Sequence, residues 1–566
     1  MSPSVTLRTT DGSSIWLPGI VACIAHHLPA NEVAGTLRLI NKTTSQQFAR
    51  HKTLRLSLPS PIHVFRERWG RPGAFRALSH KQRLQVLWLT AASGSVANLE
   101  VALVNAGLDL PHELLGAAAA AGQLDMCKVL HARGSLFDDS MSAAVQGGHR
   151  HVCEWLLASG CRLEVSVVLH ACCSGREDFL QWLLTELGGR LSDDVILCWS
   201  LLTSAAQHLS LAALQRLWEQ LTAGRHGSTL QQQLERLRQA IRGAILAVAA
   251  GSTTPDWQDK VEWLEGLGFP HMARACDYAV QAGNGDAAEA RLQWLHGRGY
   301  PLETAVADTA VSHGNLAALR FLVEQAGVRP TGDQSPVKEA ARQGHLAVLQ
   351  YLHASGLPVN IRSVAEEAAR AGHLPLVAWA VEGLGVAPAD GAASLLDCAA
   401  ASGNLELITW LHVRGWAMGP EAIPNGAKGG CEEVLEWLVE RGCPFPPDGG
   451  AYRGAARNGD LAMLHYLHRL GCPWGRPGKL LPDCIRSGVS VAVLQCLLDL
   501  GCPEMDWDAA DKLVEDWARR EPWQPAERRE ALLAWLGEQR QRRRSPGAQG
   551  ALLAAATTSS GRLALL

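Results

Sequence analysis

The feature that most limits what this chain can become is a pair of glycines that recurs at fixed spacing along most of its length. The segment AARQGHLAVLQYLHASGLP at 340–358 returns as AARAGHLPLVAWAVEGLGV at 368–386, AAASGNLELITWLHVRGWA at 399–417 and AARNGDLAMLHYLHRLGCP at 455–473. The glycines are 12 residues apart in Gly122/Gly134, Gly148/Gly160, Gly344/Gly356, Gly403/Gly415, Gly430/Gly442 and Gly459/Gly471. They are 13 apart in Gly94/Gly107, Gly314/Gly327, Gly372/Gly385 and Gly488/Gly501, and the first glycine advances 26 to 31 residues per copy. A period of that length marks stacked units, each burying its apolar face against its neighbours. A stack lets 566 residues fold without a single outsized core.

Each copy reads as two helices. The alanines before the first glycine (Ala340, Ala341; Ala368, Ala369; Ala455, Ala456) let a short helix approach its neighbours closely. The first glycine supplies the left-handed residue that ends a helix. A His, Asn or Asp then opens a second helix whose apolar residues, such as Leu346, Leu349 and Leu352, fall at helical spacing. The second glycine closes it, and proline often follows, as at Pro358 and Pro473. Both glycines of a pair are expected to be structural and to define the repeat.

These residues resemble the second half of the ankyrin repeat, and the match spans 80–505. The resemblance implies an all-α, ankyrin-type helical solenoid of about fourteen degenerate units. The Thr-Pro-Leu-His that normally opens the first helix is missing, and the link to the next glycine is about four residues short. Both departures imply stunted β-hairpin fingers and shift the expected binding surface to the helix faces. The pattern is irregular at 189–255. Residues 506–539 read as a C-terminal helical cap, and 540–566, with Arg540, Arg542, Arg543 and Arg544, as a disordered basic tail.

The first 14 residues read as a flexible terminus, and 15–52 stand outside the repeat. Pro18 suits the first turn of a helix carrying Leu17, Ile20, Val21, Ile24 and Leu28 at a 3.6-residue period. A second helix near Pro29 holds Val33 and Leu37, and a third holds Phe48. This segment resembles the F-box, a small three-helix module. The resemblance implies docking onto the adaptor subunit of a cullin-based ubiquitin ligase through Leu17, Pro18, Ile20, Val21, Ile24, Leu28 and Leu37. A plain structural cap would turn the same groups inward against the first repeat, and both readings remain open at this level. Residues 53–79, punctuated by Pro59, Pro61, Gly70, Pro72 and Gly73, form a spacer.

Chemistry is sparse. Five histidines (His131, His296, His353, His412, His468) stand three residues before a closing glycine, and Trp155, Trp263, Trp294, Trp410 and Trp437 stand five before one. Repetition at one register is the mark of packing, not of a metal or ligand cage. There is no Gly-x-Ser-x-Gly elbow, no phosphate-binding glycine loop and no His-Glu-x-x-His. No enzyme activity, cofactor or metal is expected. The 15 cysteines include no Cys-x-x-Cys pair, which suggests a reduced cytoplasmic or nuclear setting. No apolar run is long enough to insert in a membrane. A net charge of −3 gives no general reason to expect nucleic acid. The expectation is a non-enzymatic protein–protein interaction adaptor: the array captures a target protein and the head links it to ubiquitin ligation, or else serves a scaffold with no ubiquitin role. Neither the target nor the oligomeric state is encoded in these patterns.

Overall fold

Helix is the regular structure throughout the described residues, and the strand-like pairing among them is one isolated antiparallel bridge, Leu108 with Asp460. The structure is a computed structural model that describes residues 18–137, 139–164, 166–187, 195–223, 239–283, 285–388, 394–507, 510–520 and 526–544. It is an all-α helical-repeat fold. Two compact units make it up. The first holds Met1–Phe75, Leu84–Asn105 and His112–Asn360; the second holds Arg76–Arg83, Ala106–Pro111 and Ile361–Leu566.

Within each unit the first helices of successive repeats stack directly on one another. Ala340, Ala341, Ala368, Ala369, Ala455 and Ala456 are all buried, and their small side chains let neighbouring first helices approach closely. The second helices bury one stripe: Val348, Leu349 and Leu352 in Leu346–Ala354, with Leu346 itself only half-buried. The glycines end these helices as the pattern requires. In the 340–358 unit, His345 N–H donates to Ala340 O at 2.9 Å and Gly344 N–H to Ala341 O at 3.2 Å. This wrap satisfies carbonyls that a helix end leaves open. All twelve glycines of the 12-residue pairs have φ between 66° and 93°.

The two glycines of a pair nevertheless differ in what demands them. The first glycines, Gly122, Gly148, Gly344, Gly403, Gly430 and Gly459, are buried or half-buried between repeats. At Gly122 a Cβ would lie 2.5 Å from Nδ1 of His149, the residue that opens the next second helix. The closing glycines, Gly134, Gly160, Gly356, Gly415, Gly442 and Gly471, are all exposed, and a Cβ at any of them would meet nothing within 4 Å. Their role is confined to the backbone: a left-handed residue lets the chain leave the second helix. They hold no inter-repeat contact.

Two of the 13-residue pairs absorb their extra residue inside the second helix. Phe321–Gln325 and Trp379–Gly383 are π-helical turns. A one-residue insertion that keeps both helix ends in register is what a π-bulge accommodates. In the Gly94/Gly107 pair the helix Val96–Ala106 instead runs 11 residues.

The repeated aromatics line the second helices, where the guanidinium groups of following residues cover them. Arg298 lies 4.8 Å from the Trp294 ring centre and reaches Glu262 of the preceding repeat at 3.2 Å. Arg414 lies 3.7 Å over Trp410 and bonds Glu382 of the preceding repeat. At these two positions arginine ties a repeat to the one before while shielding an indole face. The repeated histidines meet aromatics of the next repeat, His131 with Trp155 at 6.0 Å and His412 with Trp437 at 5.1 Å.

Two expectations need correction. No β-hairpin finger occurs among the described residues; the links between repeats are short extended segments. The boundary at 540 falls inside a helix, Ala526–Arg544. There Arg540 pairs with Asp511, and Arg543 with Glu504 at 3.0 Å. The repeats also do not account for all packing in the second unit. Arg83 and Asp460, far apart in sequence, form a buried ion pair.

Candidate functional site

The amino-terminal head is built on four short helices: α1 (Pro18–His27), α2 (Ala30–Gly35), α3 (Lys42–Gln47) and α4 (Ile62–Trp69). Val21, Val33, Leu37 and Phe48 close its small core, with Ala25 against them. A capping box fixes the start of α3: Asn41 Oδ1 accepts from Thr44 N–H at 2.9 Å, and Thr44 Oγ1 accepts from Asn41 N–H at 3.2 Å. The chain between α3 and α4 has no regular structure of its own, and one buried side chain holds it. Asn31 Nδ2 lies 2.8 Å from Arg55 O and 3.1 Å from both Leu58 O and Pro59 O, while its Oδ1 accepts from Arg55 N–H at 2.9 Å. Backbone groups without secondary-structure partners are thereby satisfied.

The clamped segment and α4 form the walls of an open groove of about 680 Å³. Its floor is apolar, with Leu54, Val64, Phe65 and Trp69, and Lys52, Arg68 and Arg71 are on its rim. Arg68 lies 4.9 Å from the Trp69 ring centre, and Phe75 packs 5.0 Å from the same indole. Glu67 is the acidic member, 3.2 Å from Arg71.

The groove sits in the most basic stretch of the molecule. Between 36 and 75 there are eight Arg and Lys against one acidic residue, in a chain whose net charge is −3. Lys42, Arg50, Lys52, Arg55, Arg66, Arg68 and Arg71 are all exposed. Like charges at this density raise the local concentration of anions, an effect that salt screens.

The candidate head residues separate into two groups. Val21 and Leu37 are core. Pro18 is exposed, Ile20 and Ile24 stand on the outer face of α1 at 46% and 38% exposure, and Leu28, just past its end, is 36% exposed. Leu17 lies outside the described residues. The glycines chosen from the pattern serve helix ends and bring no side chain to any site. Sequence reasoning passed over Asn31 and the groove cations, although a charge count over a 40-residue window would have found the latter.

Elsewhere, reactive-looking groups are engaged in structure. Ser252 Oγ is 2.8 Å from Lys260 Nζ, the spacing of a nucleophile and its base. Both residues are fully buried, and the ammonium also reaches Thr254 Oγ1 at 2.6 Å and Ala206 O at 3.3 Å. Burial pushes the ammonium pKa below its usual value, and Asp256 opposes that shift. The cluster ties the 251–256 turn to the end of the helix Val195–His208 and leaves no path for a substrate. Burial pushes the thiols of Cys127, Cys153 and Cys172 up to about 12, which keeps them protonated and poorly nucleophilic. Among the described residues no three His, Cys, Asp or Glu side chains are grouped to hold a metal, and no helix is long and apolar enough to cross a membrane.

No family model and no curated protein matches the chain. Solved structures that it resembles include the pentatricopeptide repeat protein PPR10 from maize, at 13% identity over 93% of this chain and 97% of that one, with a TM-score of 0.24. PPR10 in complex with an 18-nt psaJ RNA element matches at 13% identity over 93% and 92%, with a TM-score of 0.23. A cysteine-substituted PPR10 with the same element matches at 11% over 92% and 88%, with a TM-score of 0.20. Likeness at this level defines no shared site and carries no argument about a ligand. Neither an ankyrin nor an F-box family model matches the chain, and the solved structures it resembles are pentatricopeptide repeat proteins. The ankyrin and F-box assignments are therefore withdrawn, and with them the ubiquitin-ligase adaptor role and its docking residues. The exclusion of nucleic acid is also withdrawn. It rested on net charge, a whole-chain average that hides the basic head.

Proposed function

We propose that this chain is a non-enzymatic repeat protein that binds nucleic acid through its basic head. The observation that carries the reading is the segregation of charge: seven exposed cations between 42 and 71 with a single carboxylate among them, on a chain that is otherwise net acidic. Phosphate backbones supply regularly spaced negative charge, and a surface that displaces their counterions gains affinity that falls steeply with salt. The buried Lys260 and the thiols that burial keeps protonated support the non-enzymatic part of the reading.

The test is fluorescence anisotropy of labelled oligonucleotides with the full-length protein across a salt series. Two phosphate contacts on a single strand give log K falling with log salt at a slope of about −1.4. Binding that is absent, or indifferent to salt, refutes the reading. Sustained turnover of any nucleotide or phosphoester substrate by purified protein refutes its non-enzymatic part.

A further inference from the structure

We propose that the groove between the clamped 52–60 segment and α4 is a single-strand site. It takes an unpaired nucleobase over its apolar floor, with the adjoining phosphates on Lys52 and Arg71. The inference rests on the nucleic-acid reading above and names the form of the ligand.

Three observations converge on it. The first is the pairing of chemistries. A surface that holds only phosphates needs cations and no apolar floor, yet Phe65, Val64 and Trp69 line this groove beneath its charged rim. Nucleobases in a duplex are stacked on each other and offer a protein no free face, whereas single strands offer both base faces and charge. The second is size. At about 680 Å³ the groove falls within the range of sites that enclose small molecules, which suits one or two nucleotides and excludes a double helix. The third is preparation. Arg68, which lines the groove, already lies over Trp69, so a base that enters can extend the stack. The opposite wall is fixed by Asn31, so little ordering is left for binding to impose.

The experiment compares one labelled sequence as a single strand and as a duplex, with full-length wild-type protein and with Lys52→Glu/Arg71→Glu. Both substituted side chains are exposed, and melting curves verify that the variant folds. Arg68→Ala is the second variant, removing the stacked guanidinium without reversing charge. The expected result is that wild type prefers the single strand by about tenfold or more. Lys52→Glu/Arg71→Glu should lose that affinity by a similar factor with unchanged melting, and Arg68→Ala should narrow the preference for the single strand. Equal affinity for both forms, or single-strand binding untouched by either variant, overturns the groove inference and leaves nucleic-acid binding standing. No binding of either form overturns both.

Discussion

Arg83 is the place where this structure makes its sharpest energetic demand. Its side chain is 3% exposed, and that of its partner Asp460 is 0% exposed. One guanidinium nitrogen donates to Asp460 Oδ1 at 3.0 Å and to Ala106 O at 2.9 Å; the other donates to Gly430 O at 2.8 Å and contacts Asp460 Oδ2. The carboxylate has a second duty, accepting from Met463 N–H at 3.0 Å to cap the helix Leu461–Arg469. Arg83→Met leaves a buried carboxylate without its counter-charge, which costs about 3–5 kcal/mol. Asp460→Asn keeps an oxygen for the cap but strands the guanidinium, at a similar cost. Removing both charges together leaves neither stranded, so the double variant should lose far less than the two single losses combined, with a coupling of about 2–3 kcal/mol or more. The assay is urea unfolding of the four proteins, supplemented by hydrogen exchange at 455–470 because a repeat array need not unfold in one step. Single losses below about 1 kcal/mol, or a double variant whose loss equals the sum, would refute the claim that the pair is buried and interdependent.

Leu352→Asp places an unpaired charge in the stripe of a mid-array helix, and unfolding should divide into separate transitions; one unchanged cooperative melt would contradict nearest-neighbour stacking. Gly122→Ala should destabilise by about 1–3 kcal/mol in thermal melts, since the site has φ 73° and no room for a Cβ beside His149; a neutral result would mean that the turn relaxes freely. Burial raises the pKa of Glu265, but hydrogen bonds from Arg298 and Tyr300 outweigh it and hold the carboxyl below its usual range. A depressed folded pKa contributes stability above the unfolded value that disappears as pH falls through the folded one. Glu265→Gln should therefore lower the melting temperature at pH 7 and weaken its dependence on pH below about 4.5, where an unchanged acid arm would argue against the ion pair.

The repeats were legible because their signal is local. A left-handed glycine, an alanine helix and an apolar stripe each write their own residues at fixed offsets, and the structure places them accordingly. Spacing alone could not separate Gly122, wedged beside His149, from Gly134, which stands in open solvent, because both need the same backbone conformation. The π-helical turns at Phe321–Gln325 and Trp379–Gly383 were less legible. A spacing of 13 announces an extra residue but not whether the helix or its flank absorbs it. Arg83 with Asp460 left no trace, because nothing in a linear pattern links residues 377 apart. The head is helical as its periodicity implies, and Val21 of the first-helix stripe and Leu37 farther along are both core. Periodicity did not tell which members of the stripe face the core, so Ile20 and Ile24 were grouped with residues that face the opposite way. Asn31 looks like any polar residue in sequence, and only the path of 55–60 gives its amide work to do.

Photo-crosslinking locates bound RNA on the protein residue by residue. A single-stranded RNA carrying 4-thiouridine is bound to the full-length protein and irradiated, and the adducts are mapped by peptide mass spectrometry. Adducts are expected to concentrate between residues 50 and 74, around Trp69 and the cations of the groove rim, and to be lost in Lys52→Glu/Arg71→Glu. Adducts confined to the repeats, with the head unmarked, would contradict it.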